Sequence, residues 1–156
     1  MRTILIVLAI FVIAPVFTYA QLIQKEDGKY YTKDGELYSG TYIEYYPSGT
    51  KRIEMSLLMG QKHGKTIIYF ENGVINEIRS FKYDVMDGTW LTYNEESIKI
   101  GEANYKDGIK NGMWFIWDDN GVKRYEMQYN NGVKTGTWKI WDENGKLIDE
   151  KTYPPK

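Results

Sequence analysis

Residues 112–121 read GMWFIWDDNG, and 24 positions later residues 136–145 read GTWKIWDENG. Each segment opens on glycine, carries aromatic residues two and five places on, and closes on Asn-Gly. The spacing extends backwards through the chain, because Gly40, Gly64, Gly88, Gly112 and Gly136 recur every 24 residues. Trp90, Trp114 and Trp138 fall two places after an anchor glycine, and Trp117 and Trp141 five places after one. Self-similarity at a fixed period of this length marks a repeat array, so the aromatics are architectural before they are anything else.

Two turn signals punctuate each unit. The first lies eight and nine residues after the anchor glycine, as Ser48-Gly49, Asn72-Gly73, Asn120-Gly121 and Asn144-Gly145. Asn-Gly between apolar runs signals a β-hairpin, because both residues tolerate the positive φ of a two-residue type I′ turn. The second lies at Met59-Gly60, Asp107-Gly108 and Asn131-Gly132. One repeat is therefore one hairpin plus the turn to the next. The third unit breaks the pattern, with Glu96-Ser97 at its first turn and Tyr83-Asp84 at the turn before it, and longer or looser turns are expected there. No segment keeps a helical period.

The expected fold is all-β: an elongated antiparallel single-sheet meander of 24-residue β-hairpin repeats. Counting an initial strand at Tyr30 to Lys33 gives about eleven strands, about 50 Å across at the usual strand spacing. Residues 1–20 read as a signal peptide, 21–29 as a linker, 30–153 as five repeats and 154–156 as a tail.

Two-residue turns set the pairing. Plus four then faces plus thirteen, plus two faces plus fifteen, and each anchor glycine faces Leu57, Phe81, Tyr105, Tyr129 or Tyr153. The expectation is that each glycine makes room for that bulky residue. One face then gathers Trp90, Trp114, Ile116, Trp138, Ile140, Ile53, Met55, Tyr125, Met127 and Tyr129 as the core face. The other sets Ile43, Tyr45, Ile67, Tyr69, Leu91, Tyr93, Phe115, Trp117 and Trp141 against a polar row that includes Arg52, Glu54, Asn76, Glu102, Arg124, Glu126 and Glu150. A bulge in a hairpin moves side chains to the opposite face.

The unit, with a tyrosine and an Asn-Gly or Asp-Gly turn after it, resembles the MORN repeat in the variant form found in bacterial exported proteins and in proteins described as antitoxins. The resemblance covers Tyr30 to Tyr153. Units four and five match closely, Tyr42 and Thr66 replace the plus-two tryptophan in the first two, and the third has no glycine at its first turn or at the turn before it. It implies an array of hairpins with a binding or scaffolding role, and it carries over no catalytic residue. An envelope immunity protein is the form an exported relative of the antitoxins would take.

Arg2, an apolar run over residues 4–17, and Thr18-Tyr19-Ala20 form the pattern of a secretory signal cleaved near Ala20. The run is short for a bilayer span, which needs roughly 20 apolar residues, so cleavage is favoured over retention as an anchor. The expected location is periplasmic or secreted. The chain carries 20 basic and 21 acidic residues; without Arg2 the balance is 19 to 21, a net charge of −2. With no basic block, phosphate binding has no source and nucleic acid is excluded as a partner. Cysteine is absent, so stability comes from packing and strand pairing.

Catalytic chemistry finds no constellation. With no cysteine and His63 as the one histidine, neither an activated nucleophile nor a transition-metal site can be assembled, and His63 reads as a solvated turn residue. Acid pairs such as Asp118-Asp119 and Asp142-Glu143 sit at hairpin tips, where turn chemistry explains them better than a calcium loop or a glycosidase pair. The expectation is a non-enzymatic protein without cofactor or metal.

Tyr45, Tyr69, Tyr93, Trp117 and Trp141 hold equivalent places in alternate strands, about 10 Å apart, with Arg124 expected beside Trp117. These six residues are the candidate partner-binding site. The first expectation is an envelope protein partner held by a scaffold or interaction module; a glycan or cell-wall polymer stacked on the rings is the alternative. A single sheet with one apolar face must hide it, by curvature or in a homodimer.

Overall fold

The computed structural model describes residues 22–154; residues 1–20, expected to be a signal segment, lie outside them. β1 (Ile23–Gln24) pairs with β2 (Tyr30–Tyr31) in a small sheet of its own. The remaining strands form one antiparallel sheet. They are β3 (Gly40–Tyr45), β4 (Lys51–Leu58), β5 (Gln61–Tyr69), β6 (Ile75–Lys82), β7 (Val85–Met86) and β8 (Gly88–Tyr93). There follow β9 (Lys99–Lys106), β10 (Ile109–Lys110), β11 (Gly112–Trp117), β12 (Lys123–Asn130), β13 (Val133–Trp141) and β14 (Leu147–Tyr153). Spatial order follows chain order from β3 to β14, with β7 leading into β8 along β6 and β10 leading into β11 along β9. Among the described residues there is no helix.

The chain start departs from expectation. Tyr30 to Lys33 is not the first strand of the large sheet. Instead Tyr30 N–H donates to the Gly60 carbonyl at 2.9 Å and Tyr38 N–H to the Tyr30 carbonyl at 3.0 Å, so this segment caps the end of the sheet. The residues expected as a linker contain β1.

Within hairpins the expected register holds. Gly40 faces Leu57, Gly64 Phe81, Gly88 Tyr105, Gly112 Tyr129 and Gly136 Tyr153. Its cause differs from the expected one. Between hairpins the register jumps: Met55 faces Thr66 and Leu57 faces Lys62, so Ser56 alone opposes His63, Gly64 and Lys65. The anchor glycines absorb this irregularity at positive φ, +96° at Gly64, +100° at Gly88 and +94° at Gly112, where an L side chain is strained. A Cβ at Gly88 would lie 3.1 Å from the Cβ of Ser80, on the preceding strand. Glycine is needed for backbone shape and close approach there, not to accommodate the ring at plus seventeen.

The two turn classes also differ from expectation. Asn-Gly does not form a type I′ turn, because only the glycine has positive φ. Gly73 N–H donates to the Phe70 carbonyl and Phe70 N–H to the Val74 carbonyl, giving a three-residue loop closed by a left-handed residue and an adjoining bulge. The type I′ turns are the second set: Met59 and Gly60 have φ of 50° and 77°, and Asn131 and Gly132 have 46° and 79°. The third unit's turns are not looser. Ser97 takes the glycine place at φ 66°, and Tyr83-Asp84 keeps the two-residue turn at 51° and 65°. Asp118 and Asp142 serve turn chemistry as expected, each accepting two backbone N–H groups of its own loop through Oδ1.

The adjoining bulge falls between plus four and plus five of every hairpin. Tyr45 therefore faces Lys51 rather than Arg52, and Trp117 faces Lys123 rather than Arg124. The expected polar row loses both arginines as partners of the stripe. Arg52 pairs with Glu44, a plus-four residue belonging to the first face.

Candidate functional site

The second face carries the stripe much as the period dictated, but three of its five cross-strand neighbours are lysines. Tyr45, Tyr69, Tyr93, Trp117 and Trp141 are all half-buried and lie on β3, β5, β8, β11 and β13. Facing them across each hairpin are Lys51, Ile75, Lys99, Lys123 and Leu147. The Lys99 ammonium sits 4.3 Å from the centre of the Trp117 ring, and that of Lys123 5.0 Å from Trp141. Such contacts contribute about 0.5–1 kcal/mol each when exposed. Three carboxylates pin the lysines in turn: Lys51 to Glu54 at 2.8 Å, Lys99 to Glu102 at 2.8 Å and Lys123 to Glu126 at 2.9 Å. The Glu54 carboxylate, as hydrogen-bond partner, holds the Lys51 ammonium above its ordinary pKa.

Arg124 does not join this row. Its Nε donates to the Trp141 carbonyl at 3.0 Å, and its guanidinium lies 3.6 Å from Asp118. Five of the six expected residues thus share one face, their row closed by lysine–glutamate pairs, while the sixth braces two hairpin ends.

On the first face the rings form a continuous ladder: Phe81, Trp90, Tyr105, Trp114, Tyr129, Trp138 and Tyr153 succeed one another with centroids 5.1–5.6 Å apart. Every plus-two indole also bonds backward. The Nε1 groups of Trp90, Trp114 and Trp138 donate to the carbonyls of Ser80, Asn104 and Gln128 at 3.1, 3.0 and 3.1 Å. Ladder and indole bonds tie the second hairpin to the third, the third to the fourth and the fourth to the fifth. Burial raises the Tyr105 and Tyr129 hydroxyl pKa values, with the neighbouring tyrosines adding to the rise at Tyr129.

The expected core is not a closed one. Met55 and Leu57 are the buried apolar side chains among the described residues, both on β4. At the other end of the sheet the same face opens into a hollow of about 330 Å³ lined by Ile116, Tyr125, Met127, Trp138 and Ile140, with Asp149, Lys151 and Tyr153 along β14. Ile116 remains 42% exposed and Tyr125 41%, although both were expected as core. Periodicity identified their face but not its covering. The lack of any helical period, already noted in the sequence, leaves no second layer to cover that face.

His63 is not the solvated turn residue expected. It lies in β5, its Nδ1 buried without a hydrogen-bond partner and its ring 4.6 Å from that of Tyr83. Among the described residues no helix is long and apolar enough to cross a membrane.

Curated proteins give no match to the chain. The family model described as "MORN repeat variant" matches residues 38–57, 62–83, 110–131 and 134–153, more than half of the chain. The matches pass over the third unit, where Ser97 replaces the turn glycine, yet Gly88 and Tyr105 pair there as their equivalents do elsewhere. Conserved geometry across all five hairpins and four separate sequence matches lead to one assignment: the chain belongs to the MORN repeat variant family.

Proposed function

We propose that this protein is an exported, non-enzymatic binding module that holds a partner protein in the cell envelope. MORN repeats are generally protein- or membrane-binding modules. The observation carrying the reading is the exposed apolar hollow around Ile116 and Tyr125, since large exposed apolar patches mark interaction sites. Export rests on the signal pattern of residues 1–20. Protein is preferred to glycan because the Trp117 and Trp141 rings already carry lysine ammonium groups where a sugar would stack.

A photo-crosslinking residue at position 125, with a second version at position 93 on the opposite face, tests this in intact cells. A discrete protein adduct from position 125, lost on Ile116→Ser, is the expected result. Adducts from position 93 alone, or quenching of tryptophan fluorescence by cell-wall polymer that Trp117→Ala abolishes, would return the site to the second face.

A further inference from the structure

We propose that the outer edge of β14 accepts an extended segment of a partner protein, added antiparallel and carrying a Lys-x-Gly-x-Trp pattern. This rests on the partner-binding reading and names the kind of partner, but it stands on strand geometry rather than on the hollow.

The chain displays the docking geometry repeatedly. β12 receives β13, where Lys134 faces Tyr129, Gly136 takes up the irregularity and Trp138 donates to the Gln128 carbonyl. β9 receives β10 and β11 likewise, with Lys110 facing Tyr105 and Trp114 donating to the Asn104 carbonyl. Each incoming indole packs against the ring at plus seventeen, at 5.2 Å for both Tyr105–Trp114 and Tyr129–Trp138. The Lys ammonium lies over the tryptophan four residues later, 4.4 Å away for both Lys110 and Lys134.

β14 repeats the acceptor half of this arrangement as far as Tyr153; Pro154, in the place of Lys106 and Asn130, has no N–H to give, so the added segment pairs from its lysine onward. Among the described residues β14 pairs with β13 alone, and Leu147 to Thr152 are exposed. Tyr153 ends the ladder with Trp138 as its ring neighbour. Thr152 supplies the carbonyl corresponding to those of Asn104 and Gln128. Lys151 holds the place of Arg79, whose guanidinium lies 5.1 Å from the Trp90 ring, so a cation already waits for an incoming indole. Strand addition supplies main-chain hydrogen bonds, and the indole supplies specificity.

A second copy of this chain fits poorly. Its β3 would bring Tyr38 and Tyr42 where the pattern has lysine and tryptophan. In the register that sets Ile140 against Tyr125, its Glu44 would face Asp149, a like-charge pair. β3 of a second copy is therefore not the segment.

The test uses the purified protein and a labelled peptide with the sequence of β13, Val133–Trp141, followed by fluorescence anisotropy and amide hydrogen exchange. Expected are saturable binding and slowed exchange confined to Leu147–Tyr153. Replacing the first tryptophan of the peptide by alanine should weaken binding roughly tenfold, the combined effect of a ring contact and one hydrogen bond. Lys151→Glu in the protein should weaken it as well, whereas Lys33→Glu, an exposed position at the other end of the chain, should leave it unchanged. No saturable binding, equal binding of a scrambled peptide, or protection only at Ile116, Tyr125 and Ile140, the hollow residues outside β14, overturns the proposal. If position 125 still crosslinks a partner in that case, the functional reading survives and the edge assignment does not.

Discussion

Trp114 Nε1 donates to the carbonyl oxygen of Asn104 at 3.0 Å, joining the fourth hairpin to the third through a side chain where the backbone register jumps. The same carbonyl accepts Asn111 N–H at 2.9 Å. Trp114→Phe keeps most of the ring and removes the side-chain donor, so urea unfolding should show a loss of about 1 kcal/mol, and Trp114→Ala about 2–3 kcal/mol. An unchanged midpoint for the phenylalanine variant would show that the indole bond adds nothing.

The anchor glycines should resist substitution. At Gly88, φ is +100° and an added Cβ would meet the Ser80 Cβ at 3.1 Å. Gly88→Ala should destabilise by about 1–3 kcal/mol through strain and crowding together. Measured beside it, Gly88→Ala/Ser80→Gly should recover the crowding part and leave the φ part.

Ser97 offers the opposite change. A serine at φ 66° stands where the equivalent loops have glycine, and Ser97→Gly should raise stability by up to about 1 kcal/mol. A thermal midpoint that falls would mean the serine side chain contributes more than its backbone costs.

His63 interrupts a recurring cap. Ser39, Asp87 and Asn111, each preceding an anchor glycine, accept the N–H of Met59, Asp107 and Asn131 at 2.8, 3.1 and 3.2 Å. Tyr83 occupies the same place in the second unit, opposite a histidine whose Nδ1 has no partner. In His63→Asn the amide oxygen can complete the pattern, so exchange of the Tyr83 amide should slow. No slowing would exclude that position as a cap.

The ladder tyrosines set a pH dependence. Burial raises the hydroxyl pKa of Tyr105 and Tyr129 above the ordinary tyrosine value of about 10. Their neutral forms are thus favoured by folding, and this stability is complete below about pH 10 and lost as pH rises through the elevated folded values. Tyrosinate absorbance should lag behind that of the unfolded chain, and Tyr105→Phe should reduce both the lag and the alkaline loss of stability.

Much of this architecture was legible because glycine and turn pairs sit at fixed offsets: Gly112 opposite Tyr129 follows from counting between turns. What counting missed is local backbone shape. The loop at Asn120-Gly121 holds three residues, and the resulting bulge puts Lys123 instead of Arg124 opposite Trp117. Nor does periodicity say what lies above a face. Ile116 has the same apolar character whether covered or open, and only the arrangement of the whole sheet decides between them.

The neighbour-only ladder also bears on inheritance. Each of the last three hairpins brings its own pair of ladder rings and its anchor glycine, and its seams reach no farther than adjacent hairpins, so stability accumulates unit by unit. Duplication or loss of a whole 24-residue module preserves the seam chemistry, whereas an insertion out of phase moves every later ring away from its neighbour. Such a gene can vary in length by whole modules while the junctions between them stay the same.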